Sequence, residues 1–191
     1  MSLEICSISK RFADKLVIDN FSYAFNDTGL YIIKGESGVG KTTLLRLISG
    51  LDTDFIGEIK GGGIANVAFS FQEYRLFPTL SAIDNILKVV ETDGKGYEAV
   101  SETLSYLNFD KADYGKLPEE LSGGMKQRIS IVRAISSDKP VLLLDEPLKE
   151  LDDDLINKVV ALLKKESERR LVILVTHAYF ERFDDAEIIN L

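Results

Sequence analysis

Four short apolar runs, at residues 30–33, 67–71, 141–144 and 171–175, each give way within one or two residues to polar or glycine chemistry: Lys34-Gly35, Gln72-Glu73, Asp145-Glu146 and Thr176-His177. Runs of strand length with no polar alternation are the mark of strands buried on both faces, which occur in parallel sheets covered by helices. Ligands of such sheets sit in the crevice at the carboxyl ends of the strands. Four separated pieces of the chain are therefore expected to converge on one edge, and the fold class is α/β.

Helical patterns lie between some of these runs. Ser81-Ala82-Ile83-Asp84 has the spacing of a capping box and opens an apolar pattern at Ile83, Ile86, Leu87 and Val90, with a further periodic segment over 97–107. Ser122 precedes Met125, Ile129, Val132 and Ile135, and the acidic cluster 152–154 precedes Leu155, Val159 and Leu162; each series gives one apolar helix face. Before the first buried run, residues 1–25 read as short β-rich pieces (Leu3, Ile5, Ile8; 16–18; Phe21, Tyr23, Phe25) divided by polar turns, an antiparallel arrangement. The expectation is one domain over 1–191 with a helical subdomain inserted at about 73–136.

Composition excludes several classes. A chain of 191 residues that is 45% hydrophobic and 28% charged can bury a core and is not a disordered tail. Its formal net charge of −8 has the wrong sign for wrapping nucleic acid. Cys6 is the only cysteine, so neither an intramolecular disulfide nor a cysteine-based zinc site can form, in keeping with a reducing compartment. The start, MSLEICSISKRF, carries Glu4 and no long apolar stretch, unlike a signal peptide. No window approaches the roughly 18–20 apolar residues of a membrane span, so direct membrane insertion is not expected.

The first buried run leads into Gly35-Glu36-Ser37-Gly38-Val39-Gly40-Lys41-Thr42-Thr43, which fits G-x-x-x-x-G-K-[ST] between a strand and an apolar helical pattern at Leu44, Leu45, Leu47 and Ile48. The glycines let backbone N–H groups turn inward around phosphate oxygens and the following helix presents its positive end. Lys41 can reach the β- and γ-phosphates, and the Thr42 hydroxyl can ligate Mg²⁺. After the third run, Asp145 is the expected Mg²⁺ partner, and Glu146 can polarise the water that attacks a γ-phosphate. To this point the residues describe a nucleotide hydrolase or kinase of the P-loop kind.

Leu121-Ser122-Gly123-Gly124-Met125 narrows the reading. It resembles the LSGGQ signature of the ATP-binding cassette (ABC) family, with Met125 where glutamine is commonest, and it stands in the family's order between phosphate loop and Asp145-Glu146. Serine and two glycines at a helix start leave N–H groups and the helix dipole free to face an anion. The rest of the pattern follows in order. Phe12 resembles the aromatic that stacks on adenine, the alternative being a core aromatic of the β-rich lobe. Gln72 resembles the Q-loop glutamine that contacts Mg²⁺ or the attacking water, His177 resembles the switch histidine that holds the γ-phosphate, and Asp152 takes the place of the D-loop aspartate.

The resemblance implies an ATPase that works with ATP and Mg²⁺. Two cassettes, a homodimer in the simplest case, would sandwich ATP between the phosphate loop of one and Ser122 and Gly124 of the other. It also implies transmembrane permease subunits on separate chains, in the manner of bacterial importers, and a place at the cytoplasmic face of the membrane held through that partner. Tyr74, Leu76 and Phe77 lie where the family docks a coupling helix of its membrane partner, the alternative being subdomain core. A competing reading is a soluble cassette ATPase acting on DNA or ribosomes. The stretch between Lys41 and Ser122 has no room for the long coiled coils of chromosome-maintenance relatives, and the chain has one cassette where translation-factor relatives carry two. One departure stands out: Lys149-Glu150 occupies the place of the family's usual Ser-Ala ahead of Leu151-Asp152.

Overall fold

A computed structural model describes residues 3–90 and 95–191. The buried runs form strands β3 (Gly29–Lys34), β5 (Val67–Ser70), β6 (Val141–Asp145) and β7 (Leu171–Val175), and β8 (Glu187–Asn190) joins them. They make one parallel sheet in the order β5-β6-β7-β3-β8. Alternation along each strand divides the core in two. Leu142, Leu144, Val172, Leu174 and Ile32 face one apolar cluster, whereas Leu143, Ile173, Val175 and Ile33 face the other. Both faces are covered, which is why these strands carry no polar alternation.

On one face lie α2 (Ala82–Leu87), α3 (Lys95–Tyr106), α4 (Gly123–Ile135) and α5 (Asp153–Ser167), whose buried residues Ile86, Leu104, Ile129 and Val159 belong to the first cluster. Residues 91–94, inside the expected helical insertion, lie outside the described residues. Caps explain three of the helix starts. Ser81, Ser122 and Asp152 each accept a hydrogen bond from the backbone N–H three residues on. On the opposite face, α1 (Lys41–Ile48) packs Leu44, Leu45 and Ile48 against the sheet and against an antiparallel sheet.

That second sheet has the order β2-β1-β4, with β1 over Glu4–Phe12, β2 over Lys15–Ala24 and β4 over Ile56–Lys60. It differs from the sequence expectation in two ways. The piece at 16–18 and residues 21–24 of the next are one strand, carried through the polar Asp19-Asn20 by Asn20 in the left-handed region (φ +47°), with its N–H donating to Ser9 Oγ at 2.9 Å. The third strand, β4, comes from beyond α1 and not from the first 25 residues.

Register places the strand ends together. Ile33 pairs with Val175, Val175 with Asp145, and Leu144 with Ser70. The segments that follow β3, β5, β6 and β7 therefore leave the sheet along one edge.

Candidate nucleotide site

A cleft of about 510 Å³ opens at that edge. Its floor is the loop between β3 and α1. Gly40, the residue before α1, has φ +119°, and a Cβ there would meet Val17 Cγ1 at 2.9 Å, so both the backbone angle and the approach of β2 require glycine. Lys41 is almost completely buried, and its ammonium donates to the carbonyls of Gly35 and Glu36 at 2.9 and 2.8 Å. The Thr42 hydroxyl donates to Asp145 Oδ2 at 2.7 Å, linking the start of α1 to the end of β6.

Two carboxylates and one imidazole line the far wall. Asp145 Oδ1 and Glu146 Oε1 are buried with no hydrogen-bond partner among the described residues. Burial holds both carboxyls above their ordinary range. The Thr42 hydrogen bond partly opposes this at Asp145, and His177 partly opposes it at Glu146. Glu146 is in the left-handed region (φ +51°), its N–H donating to the Val175 carbonyl at 2.9 Å. His177 Nε2 stands 3.4 Å from Glu146 Oε1, and the half-exposed imidazole faces the cleft. A buried carboxylate beside a solvent-reached imidazole can take a proton from a water and pass charge to a neighbour.

Mg²⁺ needs near-octahedral oxygen and usually takes only one or two protein ligands, the rest coming from phosphate and water. The described residues hold no cluster of three or more His, Cys, Asp or Glu suited to a metal. Thr42 and Asp145 nevertheless fit Mg²⁺ held jointly with phosphates, because an unpartnered buried carboxylate oxygen stands beside a hydroxyl. Gln72 lines the same cleft.

The cleft thus gathers Phe12, Ser37, Gly38, Gly40, Lys41, Thr42, Thr43, Gln72, Asp145, Glu146 and His177. Gly35, Glu36 and Val39 belong to the same loop without lining the cavity. Phe12 is half exposed at the rim, so it is not a core aromatic; its ring lies 4.8 Å from Lys10 Nζ. Ser122, Gly123, Gly124 and Asp152 are not in the cleft. Ser122 caps α4 and Asp152 caps α5, its Oδ1 accepting from Leu155 N at 2.9 Å. Of the apolar residues after Gln72, Leu76 packs on the core, Phe77 is exposed, and Tyr74 is hydrogen-bonded to Glu150.

Lys15 and Val17 also line the cleft and were not singled out from the sequence. The available signal is the short Ala13-Asp14 turn: it pairs Phe12 with Lys15 across the β1–β2 hairpin, which brings a cation to the same rim.

Comparison with known proteins shows the family. Residues 18–149 match the family model described as ABC transporter. The sulfate/thiosulfate import ATP-binding protein of Pseudomonas putida is 35% identical over 98% of this chain and 62% of its own length. The aliphatic sulfonates import ATP-binding protein of Bacillus cereus is 36% identical over 93% of this chain and 75% of its own. Another relative, a xylose/arabinose import ATP-binding protein of Haloferax volcanii, is matched over 52% of its length, so the chain spans between about half and three quarters of these relatives. A bacterial ABC transporter cassette solved as a dimer superposes with a TM-score of 0.85 at 26% identity, covering 99% of this chain and 94% of that one. The fold is that of a P-loop NTPase of the ABC type, and the chain belongs to the ABC transporter family.

Proposed function

We propose that this chain is the ATP-binding and ATP-hydrolysing subunit of an ABC transporter of the importer kind, held at the cytoplasmic face of the membrane by transmembrane subunits on separate chains. The observation that carries the reading is the division of the family's site residues. Phosphate loop, Gln72, Asp145, Glu146 and His177 share one cleft, while Ser122, Gly123 and Gly124 stand outside it at the start of α4. A second cassette, taken to be another copy, supplies the missing half, so each ATP is enclosed only at the interface and nucleotide binding is linked to association.

Lys41 leaves the carbonyls of its own loop to bind the β- and γ-phosphate oxygens, and loop N–H groups together with the start of α1 hold the remaining charge. Phe12 offers its exposed face to the adenine. Glu146 accepts a proton from the water aligned on the γ-phosphorus, and His177 orients the γ-phosphate and steadies the carboxyl it touches. Thr42 and Asp145 would hold Mg²⁺, with Gln72 lining the same cleft; such an ion would supply positive charge to the phosphates. Hydrolysis then removes the interfacial γ-phosphate, and the dimer opens.

Relatives with import ATP-binding roles favour separate permease subunits. The test is purification of the tagged chain from gently solubilised membranes of its source cell. A stoichiometric polytopic membrane protein is expected; recovery with ribosomes, DNA or only soluble proteins contradicts the transport role.

A further inference from the structure

Glu150, where the chain departs from its family's usual residue, is the point on which three loops meet. Tyr74, two residues after Gln72, donates its hydroxyl to Glu150 Oε2 at 2.7 Å. The same oxygen lies over the start of α4: a Cβ on Gly123 would fall 1.7 Å from it and 3.2 Å from the Tyr74 hydroxyl. A Cβ on Gly124 would fall 2.9 Å from the Glu150 carbonyl oxygen. The backbone of residue 150 therefore leaves no room for a side chain at Gly124, and its carboxylate occupies the space over Gly123, separately from the cap that Ser122 provides. Glu150 itself holds a left-handed backbone (φ +63°), rare for a side chain of this size and sustained only where surroundings fix it.

The tyrosine end is also fixed. Arg133 of α4 donates to the carbonyls of Tyr74 and Arg75, both at 3.0 Å. Burial and the bond to Glu150 push the tyrosine up to about 12, so the hydroxyl stays a neutral donor near pH 7. The contact runs from the loop of Gln72, which lines the chain's own cleft, to the segment of Asp152 and the start of α4, which lie outside it.

We propose that the Tyr74–Glu150 hydrogen bond is a strut joining the two nucleotide sites of a dimer, with Glu150 a positioning residue. This rests on the dimeric ATPase reading. When ATP moves the Gln72 loop, the strut carries that movement to the surface offered to the partner's ATP, so filling one site prepares the other.

The experiment is steady-state ATP turnover of the purified full chain as a function of ATP concentration. Wild type is expected to give a Hill coefficient approaching two, the limit set by about two coupled sites. Tyr74→Phe and Glu150→Ala should each bring it to about one, with turnover at saturating ATP within about twofold of wild type, and the double variant should fall no further because both remove one bond. Glu150→Gln, whose amide oxygen can accept from Tyr74, should keep the cooperativity. If Glu150→Ala fails to fold, Tyr74→Phe, which leaves the ring in place, carries the test. Unchanged cooperativity in Tyr74→Phe overturns the strut, as does Glu150→Gln behaving like Glu150→Ala. Wild-type turnover without cooperativity overturns the strut alone; a chain with no ATP turnover overturns the ATPase reading and the strut together.

Discussion

In the proposed mechanism Glu146 is the base, and burial is the main influence on it, holding its carboxyl above the ordinary glutamate value. A base must be ionised to accept a proton, so turnover should decline on acidification at a less acidic pH than a solvated glutamate would give; a profile that stays flat down to the ordinary carboxylate range would contradict this. Stability carries the opposite sign. A carboxyl whose pKa is raised by folding contributes fully below its unfolded value and loses that contribution as pH rises through its folded value. Glu146→Gln, which cannot ionise, should therefore melt higher than wild type near pH 7, the gain shrinking as pH falls. In the same variant turnover should drop by about 10²–10⁴-fold, the usual worth of a general base, with ATP binding retained. Wild-type turnover in that variant would remove Glu146 from its role. Lys41→Ala should instead weaken nucleotide binding itself, since the ammonium is the loop's one buried cation; titration calorimetry reads this directly.

At the scale of elements, α2 is organised by one side chain. Asn85 is completely buried; its Oδ1 accepts from Phe77 N at 2.7 Å, and its Nδ2 donates to the carbonyls of Phe77, Leu80 and Ser81 at 3.1, 3.0 and 3.0 Å. Asn85→Ala leaves these groups unsatisfied and should cost about 2–3 kcal/mol in denaturant unfolding, the penalty of stranded buried partners. It should also speed proteolysis at 77–81, while an undiminished midpoint would mean that water replaces the amide. The Ser81 cap announced this helix, but Asn85 gave no signal, because a polar residue within an apolar pattern reads as solvent-facing until the loop it closes is known. The same contrast runs through the fold. β6 and β7 were legible because burial on both faces leaves only apolar residues. β4 was not: it is short, mostly exposed, contains Gly57, and owes its place to pairing with β1. β2 was read as two pieces because local polarity at 19–20 says nothing of a bulge sustained from the neighbouring strand.

The whole molecule explains why half of the candidate site lies apart from the other half. Sequence order placed the phosphate loop, Asp145-Glu146 and His177 at strand ends, and the parallel register brings such ends together in any sheet of this kind. It could not place Ser122 relative to them, since a helix start is positioned by how its helix packs on the sheet. In the structure, α4 is bound to the core through Gln127, which donates to the Pro147 carbonyl at 2.9 Å, and through a buried contact of 3.0 Å between the Ser70 and Ser130 hydroxyls. Those contacts fix α4 while leaving Ser122 exposed, away from its own cleft. If the proposed dimer completes each site in trans, lesions on the two halves should complement. Lys41→Ala disables the phosphate loop, and Ser122→Asp keeps a good helix cap while setting a negative charge against the incoming phosphate. Each variant alone should be inactive at saturating ATP. In a mixed dimer one site carries both lesions and the other carries neither, so an equal mixture should regain up to about a quarter of wild-type turnover, given random pairing in a two-fold assembly. A mixture as inactive as its components would mean that Ser122 does not act across an interface, and α4 would then have to reach the cleft of its own chain.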